Sequence, residues 1–321
     1  MFGGENCVLH VVYRSYGGEN RKGRPEYYSK DLALASFLRA LQALPRDEAE
    51  VIFLNDGPIS PIILAMMRKA GEIVQRSKLG NVGSLREALT MPLERGWLAD
   101  DLVWYSEDDY LYRPDALLSL VAAAKAMPEA DYFGLYALIG NRQPNGGPSS
   151  DERVPASWKG GDVRSVDGAP WRLGLSTTST FGARVRTISA DRAMMLMAMR
   201  CGGAFDHTTC LAYQGFTPFP ASFLLRPLRE QASLGSWLRA CAIAAARVGF
   251  NVYVAARRSK TPQRLLVASD PALATHMETA FIAQGFDWAR GAAETEMWME
   301  AWKVEAGASL PPPASAPSLS A

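Results

Sequence analysis

Short apolar runs alternate along this chain with longer stretches of helical spacing. Cys7-Val8-Leu9-His10-Val11-Val12-Tyr13 is apolar and β-branched, and predicts a buried strand. A polar, glycine-rich loop follows from Arg14 to Tyr28. Ser29 then has the chemistry of a helix cap, with Leu34, Phe37, Leu38 and Leu41 on one helical face. Val51 to Leu54 predicts a second strand, ending in Asn55-Asp56-Gly57. A helix starts near Pro58 to Pro61, and Glu72 to Gln75 is a short third strand. Ser84-Leu85-Arg86-Glu87 has the spacing of a capping box and predicts a helix opening there. Asp101 to Tyr105 is a fourth strand running into Ser106-Glu107-Asp108-Asp109. Pro114 opens the next helix, and Tyr132 to Leu138 is a fifth strand. This alternation predicts an α/β fold with a mainly parallel sheet covered on both faces.

The pattern then changes. Residues 140 to 176 are rich in Gly, Pro, Asn and Ser, so the segment 141–175 is expected to be a mobile loop that closes over a bound ligand. Trp158 and Trp171 within it either stack on that ligand or pack on the protein. Thr180 to Ile188 predicts one more strand, and helices dominate after Ala190. Met194, Met195, Met197 and Met199 read as core filling. Asp270-Pro271 has the form of a cap and first turn for a helix carrying His276. The Ala/Pro/Ser-rich tail, 306–321, is expected to be disordered. The expected organisation is therefore a first half over 1–138, a second over 139–305, and the tail.

Composition narrows the function. The 321 residues carry 34 basic and 33 acidic side chains, a formal net charge of +1, and a hydrophobic fraction of 48%. That suffices for a core and gives no reason to expect nucleic acid or an anionic membrane as partner. No apolar run approaches the roughly 20 residues needed to span a bilayer, and the first residues lack the charge and apolar pattern of a signal peptide. Cys7, Cys201, Cys210 and Cys241 are too scattered for a disulfide framework. The expected compartment is the cytoplasm; the oligomeric state is left open.

The strongest chemical signal is Glu107-Asp108-Asp109 at the end of an apolar strand. Like charges at that spacing repel unless a cation or solvent relieves them, and open α/β sheets bind ligands beyond the carboxyl ends of their strands. Hard oxygen ligands suit Mg²⁺ or Mn²⁺, which bridge carboxylates to phosphates. The plain alternative is a solvated acidic turn before Pro114. Arg14 and Tyr16, after the first strand, and Asp56, after the second, are placed to contact a base or ribose. Gly80, Asn81 and Gly83 permit close backbone approach, and Arg86 can meet a phosphate or the acidic cluster. For each of these the alternative is an ordinary turn or cap role. His10 lies inside an apolar strand and reads as structural. Cys201, His207 and Cys210 lack a fourth partner for zinc.

Tyr105-Ser106-Glu107-Asp108-Asp109-Tyr110 resembles the acidic "DxD" motif of GT-A glycosyltransferases, in its EDD, family-2-like form. The order of elements before it, through Gly80-Asn81-Val82-Gly83-Ser84, is similar too, and the resemblance covers roughly residues 7 to 215. It departs where Val12-Tyr13-Arg14-Ser15-Tyr16 replaces the usual strand ending in Pro-Thr-Tyr-Asn, and in lacking Gln-x-x-Arg-Trp. The resemblance implies a GT-A-like, Rossmann-type, mainly parallel sheet flanked by helices, with a helical C-terminal part. The first half would bind a nucleotide diphosphate sugar, the second a carbohydrate or small-molecule acceptor. It implies metal-dependent glycosyl transfer with inversion. Asp109 would ligate Mn²⁺ or Mg²⁺ directly, Asp108 would bind ribose or metal-bound water, and Glu107 would orient or share the ion. His276 would be a further metal ligand, or else a surface histidine. The base would come from the second half: Asp206, 97 residues beyond Asp109 (206 − 109), lies in Cys201-Gly202-Gly203-Ala204-Phe205-Asp206-His207-Thr208. Its alternative role is a helix N-cap, with Asp191 and Glu230 as rival bases. Two other functions stay open. A sugar nucleotidyltransferase would carry a stronger signature than Gly17-Gly18-Glu19-Asn20-Arg21-Lys22-Gly23. A non-catalytic carbohydrate-binding protein would not need the acidic cluster. No Gly-x-Gly-x-x-Gly follows the first strand, against a dehydrogenase.

Overall fold

The computed structural model describes residues 8–19, 23–45, 47–139, 142–147, 153–229 and 233–305. In chain order the first part comprises β1 (Leu9–Tyr16), α1 (Lys30–Leu41), β2 (Ala49–Asp56), α2 (Pro61–Ala70), β3 (Glu72–Arg76), α3 (Gly80–Ala88), α4 (Met91–Glu94), β4 (Leu102–Glu107), β5 (Tyr110–Tyr112), α5 (Ala116–Ala126), β6 (Tyr132–Gly134) and β7 (Ala137–Leu138). The second comprises β8 (Asp162–Val166), β9 (Ala169–Leu173), β10 (Ser176–Thr177), β11 (Phe181–Arg184), α6 (Val185–Ala198), α7 (Phe205–Tyr213), α8 (Ala221–Leu224), α9 (Leu234–Arg258), β12 (Leu266–Ser269), β13 (Ala274–His276) and α10 (Trp288–Glu305).

Nine strands form one mixed sheet in the order β3-β2-β1-β4-β11-β6-β12-β9-β8. β3, β2, β1 and β4 run parallel, β11 is antiparallel to both its neighbours, and β6 and β12 are again parallel to each other. The fold is therefore α/β, a mainly parallel sheet flanked by helices, as expected. The sheet continues across residue 138. Side chains alternate across it: Leu9, Val11, Tyr13 and Trp104 join a core with α1, α2, α5 and α10, while Val12, Val103 and Tyr105 join a second core with α3, α6, α7 and α9.

Several local expectations fail for reasons that lie outside the local sequence. α3 begins at Gly80, not at Ser84, because the Asp56 carboxylate from β2 accepts the Leu79 and Gly80 N–H groups at 3.0 and 2.7 Å. Ser84 is inside the helix, donating to the Asn81 carbonyl. The strand foreseen over Thr180 to Ile188 stops at Arg184, since Val185 and Ile188 bury on α6. Asp270-Pro271 opens no helix: β13 follows it and pairs antiparallel with β5, His276 opposite Tyr110. In the segment expected to be a mobile loop, β8 and β9 form a hairpin bonded to β12 at the far side of the sheet. Trp171 there is 1% exposed and part of the core. Residues 140, 141, 148–152, 230–232 and 306–321, which hold parts of that loop, Glu230 and the tail, lie outside the described residues.

One helix corrects the hydropathy reading. α9 has 25 residues and is long and apolar enough to cross a membrane by length and composition. Arg239 and Arg247 interrupt the run in sequence, and one face of the helix packs on the protein.

Candidate active site

The carboxyl ends of β1, β2 and β4 open onto a cavity of about 830 Å³. Its walls include Arg14, Tyr16, Asp56, Asn81, Glu107, Asp108, Asp109, Asp206 and His276. Side chains separated by up to 262 positions in sequence (276 − 14) thus meet in one place. Parallel pairing explains the first group, since β1 sets Tyr16 beside Asp56 of β2 and Arg14 beside Glu107 of β4. The β5–β13 pair explains the last, because it carries His276 to Asp109. Gly83 and Arg86 do not line the cavity. Gly83 is within α3, where an added Cβ would come 3.2 Å from the Leu79 Cβ, and Arg86 is exposed.

The three neighbouring carboxylates diverge, and each meets its own cation. Glu107 lies 3.6 Å from Arg14 Nη2 and accepts from the Thr180 hydroxyl. Asp108 pairs with Lys30 Nζ at 3.1 Å and accepts the Tyr16 N–H at 2.8 Å. Asp109 Oδ2 meets Arg24 Nη2 at 3.1 Å and His276 Nε2 at 3.0 Å. Burial pushes Glu107 up, against the pull of Arg14, and pushes Asp108 up, against that of Lys30. Burial acts the same way on Asp109, but there His276 and Arg24 outweigh it and bring the carboxyl down to about 2. Arg24 and Lys30 were not foreseen from the sequence. Their only signal was basic character in the loop after β1 and at the start of α1.

Two predicted metal ligands, Asp109 and His276, are in contact, while Glu107 turns instead to Arg14 and Thr180. Among the described residues no set of three or more His, Cys, Asp or Glu side chains gathers about one point. The residues therefore fit a divalent ion only as a pair completed by oxygens from a ligand, a mode that Mg²⁺ commonly uses with phosphates.

Other predicted residues take defined places. Asp56 spends both carboxylate oxygens on the start of α3. Arg14 donates to Asn81 Oδ1 at 2.5 Å, yet its buried Nη1 has no hydrogen-bond partner. A buried guanidinium donor left unmatched is costly and suits an anionic ligand. Asp206 lies in the first turn of α7, one residue past its start, and is not the N-cap; its Oδ1 accepts the His207 N–H at 2.9 Å. Its charge reaches Glu107, contributing to the rise there after burial and Asp109. The rival Asp191 is fully buried in α6, bonded to Tyr132 and to Arg257 and Arg264, and has no place in the cavity. His10 is structural: it bridges Glu50 and Asp101 at 2.9 Å each and stacks on Trp97.

No protein-family model matches this chain, and no curated protein matches it. Among solved structures it is similar to TarS of S. aureus. Residues 1–349 of that protein in complex with UDP align at 12% identity and a TM-score of 0.41, over 78% of this chain and 70% of that one. A longer TarS structure aligns at 14% identity and 0.38, over 64% of this chain, which spans 33% of that chain's length. CMP:2-keto-3-deoxy-manno-octonic acid synthetase complexed with CTP aligns at 14% identity and 0.35, over 58% of this chain and 78% of that one.

Proposed function

We propose that this protein is a GT-A-type glycosyltransferase, which moves a sugar from a nucleotide diphosphate donor to an acceptor hydroxyl with inversion. The observation that carries the reading is the convergence of the Glu107-Asp108-Asp109 cluster, the unmatched Arg14 donor, His276 and Asp206 on one cavity at the carboxyl ends of parallel strands. Arg14 binds and orients the anionic part of the donor. Lys30 and the Tyr16 N–H hold Asp108 in place, and Asp56 fixes the turn that presents Gly80 and Asn81 to the donor. Asp109 and His276 are the residues that would hold Mn²⁺ or Mg²⁺, and a divalent ion there supplies stabilisation of charge on the leaving diphosphate. Asp206 takes the proton of the acceptor hydroxyl as that oxygen attacks the sugar carbon, a role worth about 10²- to 10⁴-fold.

The test is a thermal-shift panel of UDP-, GDP-, CMP- and dTDP-sugars with and without Mn²⁺, followed by product analysis with the sugar that binds. A ligand at about 100 times its dissociation constant stabilises by roughly 2.7 kcal/mol. Binding by none of them would remove the reading. Pyrophosphate release from a nucleoside triphosphate would replace it with nucleotidyl transfer.

A further inference from the structure

The longest helix of the described chain leaves one whole face to solvent, and that face carries no charge. On α9, Leu234, Trp237, Leu238, Val248 and Val252 are 74, 49, 57, 48 and 65% exposed. At 3.6 residues per turn they fall on one stripe, with Ala242, Ala245 and Gly249 exposed between them. The opposite face, Ala240, Ala244, Arg247, Phe250 and Val254, is buried. Arg247 fixes it there, donating to the Cys201 carbonyl at 2.9 Å and the Phe223 carbonyl at 2.6 Å. A helix so anchored lies along the protein and does not cross a bilayer.

Charge identifies what covers the stripe. From His207 to Ser269 the sequence holds eight basic residues and one acidic residue, Glu230, in a chain whose net charge is +1. Arg226 and Arg229 just before α9, Arg239 within it, and Arg258 and Lys260 at its end are exposed. An apolar stripe with a tryptophan at its start and arginines around it matches the headgroup region of an anionic bilayer, where apolar burial and charge attraction act together. A second copy of the chain fits less well. A two-fold interface would set the same arginines against one another.

We infer that α9 is a membrane-docking helix, which lies in the surface of a bilayer containing anionic lipid. Arg247 ties α9 to the Cys201–Gly202 turn, and Gly203 to Asp206 line the cavity directly after it. Docking therefore sets the cavity wall within about one helix diameter, ~10 Å, of the lipid. The inference does not depend on which reaction the cavity performs.

The experiment is co-sedimentation of the full chain with vesicles of phosphatidylcholine, alone or mixed with phosphatidylglycerol, at low and high salt. Binding to the anionic vesicles that weakens with salt is expected, with Leu238→Glu/Val252→Glu lowering it roughly tenfold or more. Both sites are exposed, so the variant keeps its fold, checked by circular dichroism. A blue shift of tryptophan emission on anionic vesicles is expected in the wild type and should be absent in Trp237→Phe. Failure of the wild type to sediment, or equal sedimentation of the double variant, overturns the inference. So does a wild-type dimer in size-exclusion chromatography that the double variant dissociates without any vesicle binding, which assigns the stripe to self-association.

Discussion

Replacing Asp109 by asparagine keeps the side chain's shape and removes its charge. Asp109 is well buried, and its Oδ2 holds both His276 and Arg24. Burial alone would raise this carboxyl, but those two partners bring it from the ordinary 3.8 to about 2. At 1.36 kcal/mol per pKa unit, that is about 2 kcal/mol of stability. The sign is that of a depressed acid: the contribution is full at pH values above 3.8 and is lost as pH falls towards 2. Asp109→Asn should therefore lose up to about 2 kcal/mol at neutral pH, and the gap to wild type should close in acid. The relief of Glu107 and Asp108, both raised in part by the Asp109 charge, offsets some of that loss. Urea denaturation at pH 7 and pH 3 measures both effects. Turnover at saturating donor and Mn²⁺, measured well below the melting transition, should fall at least about 10²-fold, the scale of a lost electrostatic stabiliser. Full turnover in this variant ends the metal-site reading. A stability loss far above 2 kcal/mol, unchanged in acid, would mean that Asp109 is structural.

Asp206→Asn should lower turnover by about 10²-fold or more while donor binding and melting temperature stay near wild type; intact turnover sends the search for a base elsewhere. Asp191→Ala should behave in the opposite way, costing about 3 kcal/mol in denaturant unfolding because it removes the fully buried carboxylate that half-buried Arg257 and Arg264 share, leaving Arg264 only Asp131; a loss under about 1 kcal/mol refutes that account. Burial pushes the Cys201 thiol up to about 11, so in the native protein at pH 8 it should resist iodoacetamide while Cys241 reacts; mass mapping that finds Cys201 alkylated first contradicts this. Mn²⁺ without nucleotide should shift the melting temperature little, and Mn²⁺ with a fitting nucleotide sugar should shift it by more than the two separate shifts combined; equal shifts would count against a shared site.

The fold class and the acidic cluster were legible because both depend on local pattern. Three apolar runs became β1, β2 and β4, a short mixed run became β3, and the acidic cluster begins on Glu107, the last residue of β4. What stayed illegible depends on partners remote in sequence. The start of α3 was misplaced because its cap, Asp56, sits 23 residues before Leu79. His276 was foreseen at the site, but on a helix; only pairing of β13 with β5, more than 160 residues earlier in the chain, makes that segment extended. Arg24 and Lys30 gave no sign of their acidic partners, since a basic residue in a polar loop or at the start of a helix reads as solvated until the fold sets it beside Asp109 or Asp108.

The pairing of these charges bears on how a metal would enter. Glu107, Asp108 and Asp109 face Arg14, Lys30 and Arg24 respectively, so the cluster that seemed from sequence to demand a cation already has three. Under the proposed function, a divalent ion arriving alone would have to compete with Arg24 for Asp109 and would find no third protein ligand among the described residues. A diphosphate would change that balance. It would add negative charge beside Arg14, whose Nη1 is unmatched, and would offer the oxygens that a two-residue site lacks. Under the proposed function, metal and donor therefore bind as a unit. The internal cations keep the buried carboxylates paired within the protein, where unpaired charge at that depth would be strongly destabilising.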